Sequence, residues 1–193
     1  MRRREAASVE ALEIERPRVG SSAPSLPPAD TSSVPPDEPL RVVLEPVRMS
    51  LTLLNATLNW RLELANTGPK PLTDLTVYAD MISAHASISR EDQLSGPNTS
   101  RDTTKQHIER LEPGERRTID GEFRLPLAQI LPIRQGKAAL LLPLARFRVE
   151  ADGAQALVRT FAVGQPGSGN GLQPFRLDEG PRIYPRLTHR AFA

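Results

Sequence analysis

Between Leu58 and Asp80 the chain reads LNWRLELANTGPKPLTDLTVYAD. Apolar side chains fall at every second position: Leu58, Trp60, Leu62 and Leu64, then, after a break, Leu75, Val77, Ala79 and Met81. On a helix the first four would spread over more than half of the circumference, whereas on an extended strand they share one face. Period two therefore predicts strands, each burying one face, with Trp60 pointing inward. The interruption at Asn66-Thr67-Gly68-Pro69 has turn chemistry. It predicts two adjacent antiparallel strands joined by a Gly/Pro turn.

The rhythm recurs along the chain. Arg41 to Thr52 is a β-rich run broken by Pro46, which predicts an edge strand or a bulge because proline donates no ladder hydrogen bond. Gln106 to Leu111 alternates, Pro113-Gly114 supplies a turn, and Ile119, Gly121, Phe123 and Leu125 alternate again. Pro126 to Ile133 reads as a short helical or irregular crossover. Ala138 to Glu150 and Ala156 to Val163 read as a hairpin around Asp152-Gly153. His85 to Thr104 is polar and without rhythm, a long exposed loop with one helical turn at Arg90 to Leu94. About seven strands at this spacing, over roughly 125 residues, predict an all-β chain folded as an antiparallel β-sandwich.

The phrase L-x-W-x-L-x-L-x-N-T-G-x-x-P-L-x-D-L-x-V (Leu58 to Val77), followed by I-x-x-L-x-P-G-E and another alternating strand (Ile108 to Phe123), resembles immunoglobulin-like repeat domains of bacterial envelope and surface proteins. The resemblance covers the middle of the domain. It implies an immunoglobulin-like sandwich over residues 40–164 and says almost nothing about activity. There is no cysteine pair, and Trp60 lies in the second expected strand rather than the third, so the antibody type of domain is not implied.

The flanks differ in composition. Residues 1–39 hold seven of the nineteen prolines, clustered between Pro17 and Pro39. Apart from a brief helix near residues 5–15, this Pro/Ser-rich segment is expected to be a disordered linker, too poor in apolar residues to offset its chain entropy. Its PxxP spacings, Pro24 to Pro27 and Pro36 to Pro39, are what chance gives in so proline-rich a stretch. Residues 165–193 begin with a Gly-rich linker, GQPGSGNG. A tail follows that carries Phe175, Tyr184 and Phe192 among Arg176, Arg182, Arg186 and Arg190. Aromatic and arginine side chains are enriched at protein interfaces. The tail is therefore expected to dock, either back onto the sandwich or onto a protein partner, against the alternative of an ordinary disordered terminus.

Composition removes several function classes. With no cysteine there is no disulfide framework, thiolate metal site or cysteine nucleophile. The formal charge is only +2 although the pI is about 9.4, because little titrates between neutral pH and the Lys/Arg range. No clustered basic face marks a nucleic-acid binder. Arg61, Arg124, Arg146 and Arg148 sit at outward strand positions, but Glu63, Glu122 and Glu150 interleave with them, which predicts a mixed, salt-bridged face. His85, His107 and His189 are isolated and match no metal spacing. The glycines of Gly167 to Gly171 are not followed by the lysine of a phosphate loop, and Asp74, Asp80, Glu91 and Asp92 lack calcium-loop spacing. No catalytic, cofactor-binding or metal-ligating residue is assigned, and no cofactor is expected.

No apolar run approaches the ~20 residues of a membrane helix, and no secretory leader follows Arg2-Arg3-Arg4. That triple arginine resembles the cytoplasmic flank of a membrane helix; the other reading is an ordinary basic terminus. Membrane association is thus expected only through a segment preceding residue 1. The resulting expectation is a non-enzymatic protein-interaction or scaffolding module capturing its partner by strand addition at a sheet edge. The alternative is a carbohydrate- or other ligand-binding sandwich using the 85–104 loop, for which an aromatic content of 4% is meagre.

Overall fold

The structure, a computed structural model, describes residues 38–97, 103–169 and 171–192. The expected N-terminal helix and linker, except for its last two residues, and residues 98–102 of the long loop lie outside the described residues. The described residues fall in one compact unit, Val34–Ala193.

The elements in order are β1 (Leu40–Leu51), β2 (Asn55–Asn66), β3 (Leu72–Ser83), α1 (Arg90–Leu94), β4 (Thr104–Leu111), β5 (Arg116–Pro126), a 3-10 turn (Leu127–Gln129), β6 (Ile133–Gln135), β7 (Ala138–Leu141), β8 (Pro143–Glu150), β9 (Leu157–Pro166), β10 (Leu172–Gln173), β11 (Phe175–Arg176), β12 (Arg182–Tyr184) and β13 (Thr188–Phe192). One sheet runs β12-β1-β2-β5. The facing sheet runs β10-β9-β8-β3-β4, with β13 also on β9, and β11-β7-β6 form a small third sheet. The pairings are antiparallel. The chain is an immunoglobulin-like β-sandwich whose seven long strands match the alternating segments of the sequence.

Pro46 marks a bulge in β1. Leu40, Val42 and Leu44 are buried on one parity, Met49 and Leu51 on the other, and the register against β2 shifts by one residue between Pro46 and Arg48. The extra residue returns both halves of the strand to the same buried face, where a one-residue slip would otherwise expose one half. The inner faces meet around Trp60, whose ring centroid lies 5.0 Å from that of Phe123 and 5.2 Å from that of Phe147. The indole lies across Gly121, its register partner on β5; a Cβ there would sit 2.2 Å from Trp60 Cζ2. That contact explains a glycine inside an otherwise alternating strand.

The structure corrects two sequence expectations. β2 and β3 are not neighbours: β2 pairs with β1 and β5, and β3 with β4 and β8. The Asn66 to Pro71 segment is an arch between sheets. The Asn66 side-chain amide donates to the carbonyls of Lys70 at 2.8 Å and Leu111 at 3.0 Å, and its Oδ1 accepts from the Gly68 amide at 3.0 Å. Those bonds tie the arch to the end of β4 and hold it open where a hairpin would close. Second, Arg146 does not face solvent. It is 6% exposed, covered by the 85–97 loop, and its guanidinium donates to both carboxylate oxygens of Asp80 and to the Asp92 carbonyl. The other outward arginines form the expected mixed face, Arg61 with Asp120 and Glu45, Arg124 with Glu122, Arg148 with Glu150.

Candidate functional site

The tail is built into the sandwich at one end. β11 pairs with β7, placing Phe175 opposite Leu141. β12 then lies on the last residues of β1, Tyr184 opposite Met49 and Arg182 opposite Leu51. β13 crosses to the other sheet, Thr188 opposite Gly164 and Phe192 opposite Thr160. The tail thus touches all three sheets. Phe175 is fully buried and Tyr184 nearly so, their rings 4.9 Å apart. Four charged groups organise the turn between them. Arg176 donates to Asp178, and Arg182 to Glu179. Asp178 also accepts from the Ala139 amide at 3.1 Å. The Arg176 guanidinium, aided by that amide, holds the Asp178 carboxyl well below the usual carboxylate range.

Of the seven tail residues singled out in the sequence, Phe175, Arg176, Arg182 and Tyr184 are therefore brought together in this corner. Arg186 and Arg190 are exposed and Phe192 is half-buried on β13. His189, also on β13, sets its ring edge-on to Phe161, 5.5 Å between centroids, and partial burial there lowers the imidazole pKa from its ordinary value.

The same end carries a feature the sequence reading passed over. The β1–β2 turn presents Leu53 and Leu54 side by side, 78% and 74% exposed. The turn is rigid: the Thr52 hydroxyl oxygen accepts from the amides of Leu54 and Asn55, and the hydroxyl donates to the Asn55 carbonyl. The Leu54 carbonyl accepts from the Leu127 amide at 2.8 Å, seating the crossover after β5 against the turn. The crossover leads to Leu131, also exposed, whose carbonyl accepts from Ser83 Oγ at 3.1 Å. It then enters the β6–β7 hairpin, which turns at Gly136 and exposes Arg134 and Lys137. Ile183 on β12, opposite Ser50, is 59% exposed. The available signal was the pair Leu53-Leu54 itself, apolar residues on opposite parities between two strands, where one of them cannot face a sheet interior.

At the far end, a cleft of about 260 Å³ opens between the start of β1 and the start of β9. Leu40, Leu72, Val149 and Leu157 line it, and Glu38 and Arg159 form an ion pair beside it. The 85–97 loop is internally satisfied: Gln93 Nε2 donates to the carbonyls of His85 and Ile88, and the Ser89 hydroxyl caps α1 by accepting from the Asp92 amide. His85, His107 and His189 stay apart, and among the described residues no group of His, Asp and Glu could hold a metal ion. Among the described residues no helix is long and apolar enough to cross a membrane.

No family profile matches the chain, and no curated protein matches it. Among solved structures it is similar to a β-glucuronidase of Bacteroides uniformis, at 17% identity over 65% of this chain and 13% of that one, with a TM-score of 0.35. A second structure, B. uniformis β-glucuronidase 2 bound covalently to a cyclophellitol-6-carboxylate aziridine, matches at 15% identity over 76% of this chain and 15% of that one, TM-score 0.35. The structural-genomics target SoR45 matches at 8% identity over 72% of this chain and 85% of that one, TM-score 0.33. The chain thus spans a small part of each glucuronidase, and superpositions this loose carry no inference about activity.

Proposed function

We propose that the chain is a non-enzymatic docking or scaffolding module, of the kind that immunoglobulin-like repeats supply in bacterial envelope and surface proteins, and that it docks through the end bearing Leu53 and Leu54. One observation carries this reading: two adjacent leucines are held out in water by a hydrogen-bonded turn. Each forgoes about 1.5–3 kcal/mol of burial, a cost that selects against such a pair unless something covers it.

Strand addition at a free sheet edge has less behind it. Two of the sheet edges, β4 and β5, carry Lys105, Glu109, Arg117 and Asp120 at exposed positions, and charged edges discourage pairing with another chain. Sugar binding through the 85–104 loop also has less support, because Trp60 is 1% exposed and offers no platform. The test is a photo-crosslinking residue at Leu54 in the cell, with a control at exposed Glu109. Adducts of any kind formed at Leu54 and not at the control support docking through this end; none at either position would remove the proposal.

A further inference from the structure

We infer that the surface docked by this end is an anionic lipid bilayer. The inference rests on the docking reading above and names its partner. Two hairpin tips belong to this end, one apolar (Leu53 and Leu54) and one cationic (Arg134 and Lys137): β6 and β7 form the second, and β7 pairs with β11, which leads to β12 on the end of β1. The Leu54 carbonyl accepts from the Leu127 amide at 2.8 Å, in the crossover that leads on to the second hairpin.

The charge balance is one-sided. From Arg124 to Val149 the sequence contains no acidic residue. Asp178, which accepts from the Ala139 amide of β7, and its neighbour Glu179 are both engaged, by Arg176 and by Arg182. Arg134 and Lys137 have no ion pair among the described residues, so their charges are free for an outside partner. A bilayer interface matches both halves at once. Leucines at a rigid tip enter the boundary between headgroups and acyl chains, while cations at the same end stay at headgroup level. A protein groove able to bury both tips would need a paired acid for each cation, whereas a leaflet rich in anionic lipid supplies negative charge wherever the cations fall.

The chain lacks cysteine, so Leu53→Cys carries a single environment-sensitive fluorophore. The full-length protein is mixed with vesicles of phosphatidylcholine alone, or with phosphatidylglycerol added. Expected are a blue shift of the label and co-sedimentation with the anionic vesicles only, weakening as salt is raised. Leu53→Ser with Leu54→Ser should lower partitioning on the order of a hundredfold. Arg134→Gln with Lys137→Gln, at exposed positions where folding is not at stake, should lower it about twenty-five-fold, from roughly fivefold per cation. Equal binding to neutral vesicles overturns the inference. So does absence of any vesicle binding. If the Leu54 crosslinks to protein persist in that case, docking stands and only the lipid fails; Leu53- and Leu54-dependent self-association would identify a second copy as the occupant instead.

Discussion

Arg146 and Asp80 face each other across β8 and β3 and share two hydrogen bonds, Nε to Oδ1 at 2.8 Å and Nη2 to Oδ2 at 2.6 Å, while Nη1 reaches the Asp92 carbonyl at 3.0 Å. One side chain thereby fastens the 85–97 loop to the outer face of a sheet. Arg146→Ala should cost about 3 kcal/mol, because it leaves the Asp80 carboxylate under the loop with no cation. The double change Arg146→Met with Asp80→Leu should cost clearly less. Urea denaturation measures both, and hydrogen exchange should show faster amides in residues 85–97 for the single variant.

Gly164 is where the tail begins to cover β9. A Cβ at this position would lie 2.4 Å from the Gln173 carbonyl oxygen, a backbone atom that cannot swing aside as a side chain does. Gly164→Ala should therefore lift β10 off the sheet, and limited proteolysis should cut near residues 167–174 in the variant and not in the parent chain. Gly121→Ala, by contrast, drives its methyl into Trp60 in the core, and a loss of at least 1–3 kcal/mol is expected from overpacking.

Phe175 and Tyr184 pack ring against ring at a tilt of 60° but differ in what they cost the fold. Phe175→Ala should destabilise by about 3–5 kcal/mol, the range for emptying a buried aromatic site. The Tyr184 hydroxyl is buried without a hydrogen-bond partner among the described residues. Tyr184→Phe removes that unsatisfied group and should be neutral or stabilising by up to about 2 kcal/mol. Thermal melts of the two variants should move in opposite directions or differ by many degrees.

Desolvation beside Phe161 lowers the pKa of the His189 imidazole. Its folded-state pKa lies below the ordinary value of about 6.5, so the unfolded chain takes up the proton first as the solution is acidified. The contribution is fully present above pH ~6.5 and is lost as the pH falls toward the folded-state pKa. His189→Gln should remove that part of the acid sensitivity, and proton NMR of the imidazole should place its midpoint below ~6.5 in the folded protein.

The long strands were legible because their buried faces alternate in β2 as far as Leu64 and, after Leu72, from Leu75 in β3. The partition of those strands between sheets was not. Asn66-Thr67-Gly68-Pro69 carries the same turn chemistry in a hairpin and in an arch; what decides is the bond from Asn66 to Leu111, a residue 45 positions away. Arg146 was misplaced for a related reason. Alternation assigned it to the outer face correctly, but the cover over that face is a polar loop with no periodicity to announce it. The tail strands β10 to β12 run for two or three residues each, too short for any rhythm. Leu53 and Leu54 carry no period-two signal of their own, because they lie in the gap between two alternating runs.

The pairing of Met49 to Leu51 with Arg182 to Tyr184 has a consequence for the order in which the chain matures. That stretch of β1 emerges from the ribosome early and waits for more than a hundred further residues before its neighbour exists. The other half of the same strand is guarded by Pro46 and its bulge, which a stray chain cannot zip onto; the Met49 to Leu51 half has no such guard. Nascent chains stalled before residue 182 should thus present one open, apolar strand margin, and it is there that a chaperone would be expected to bind.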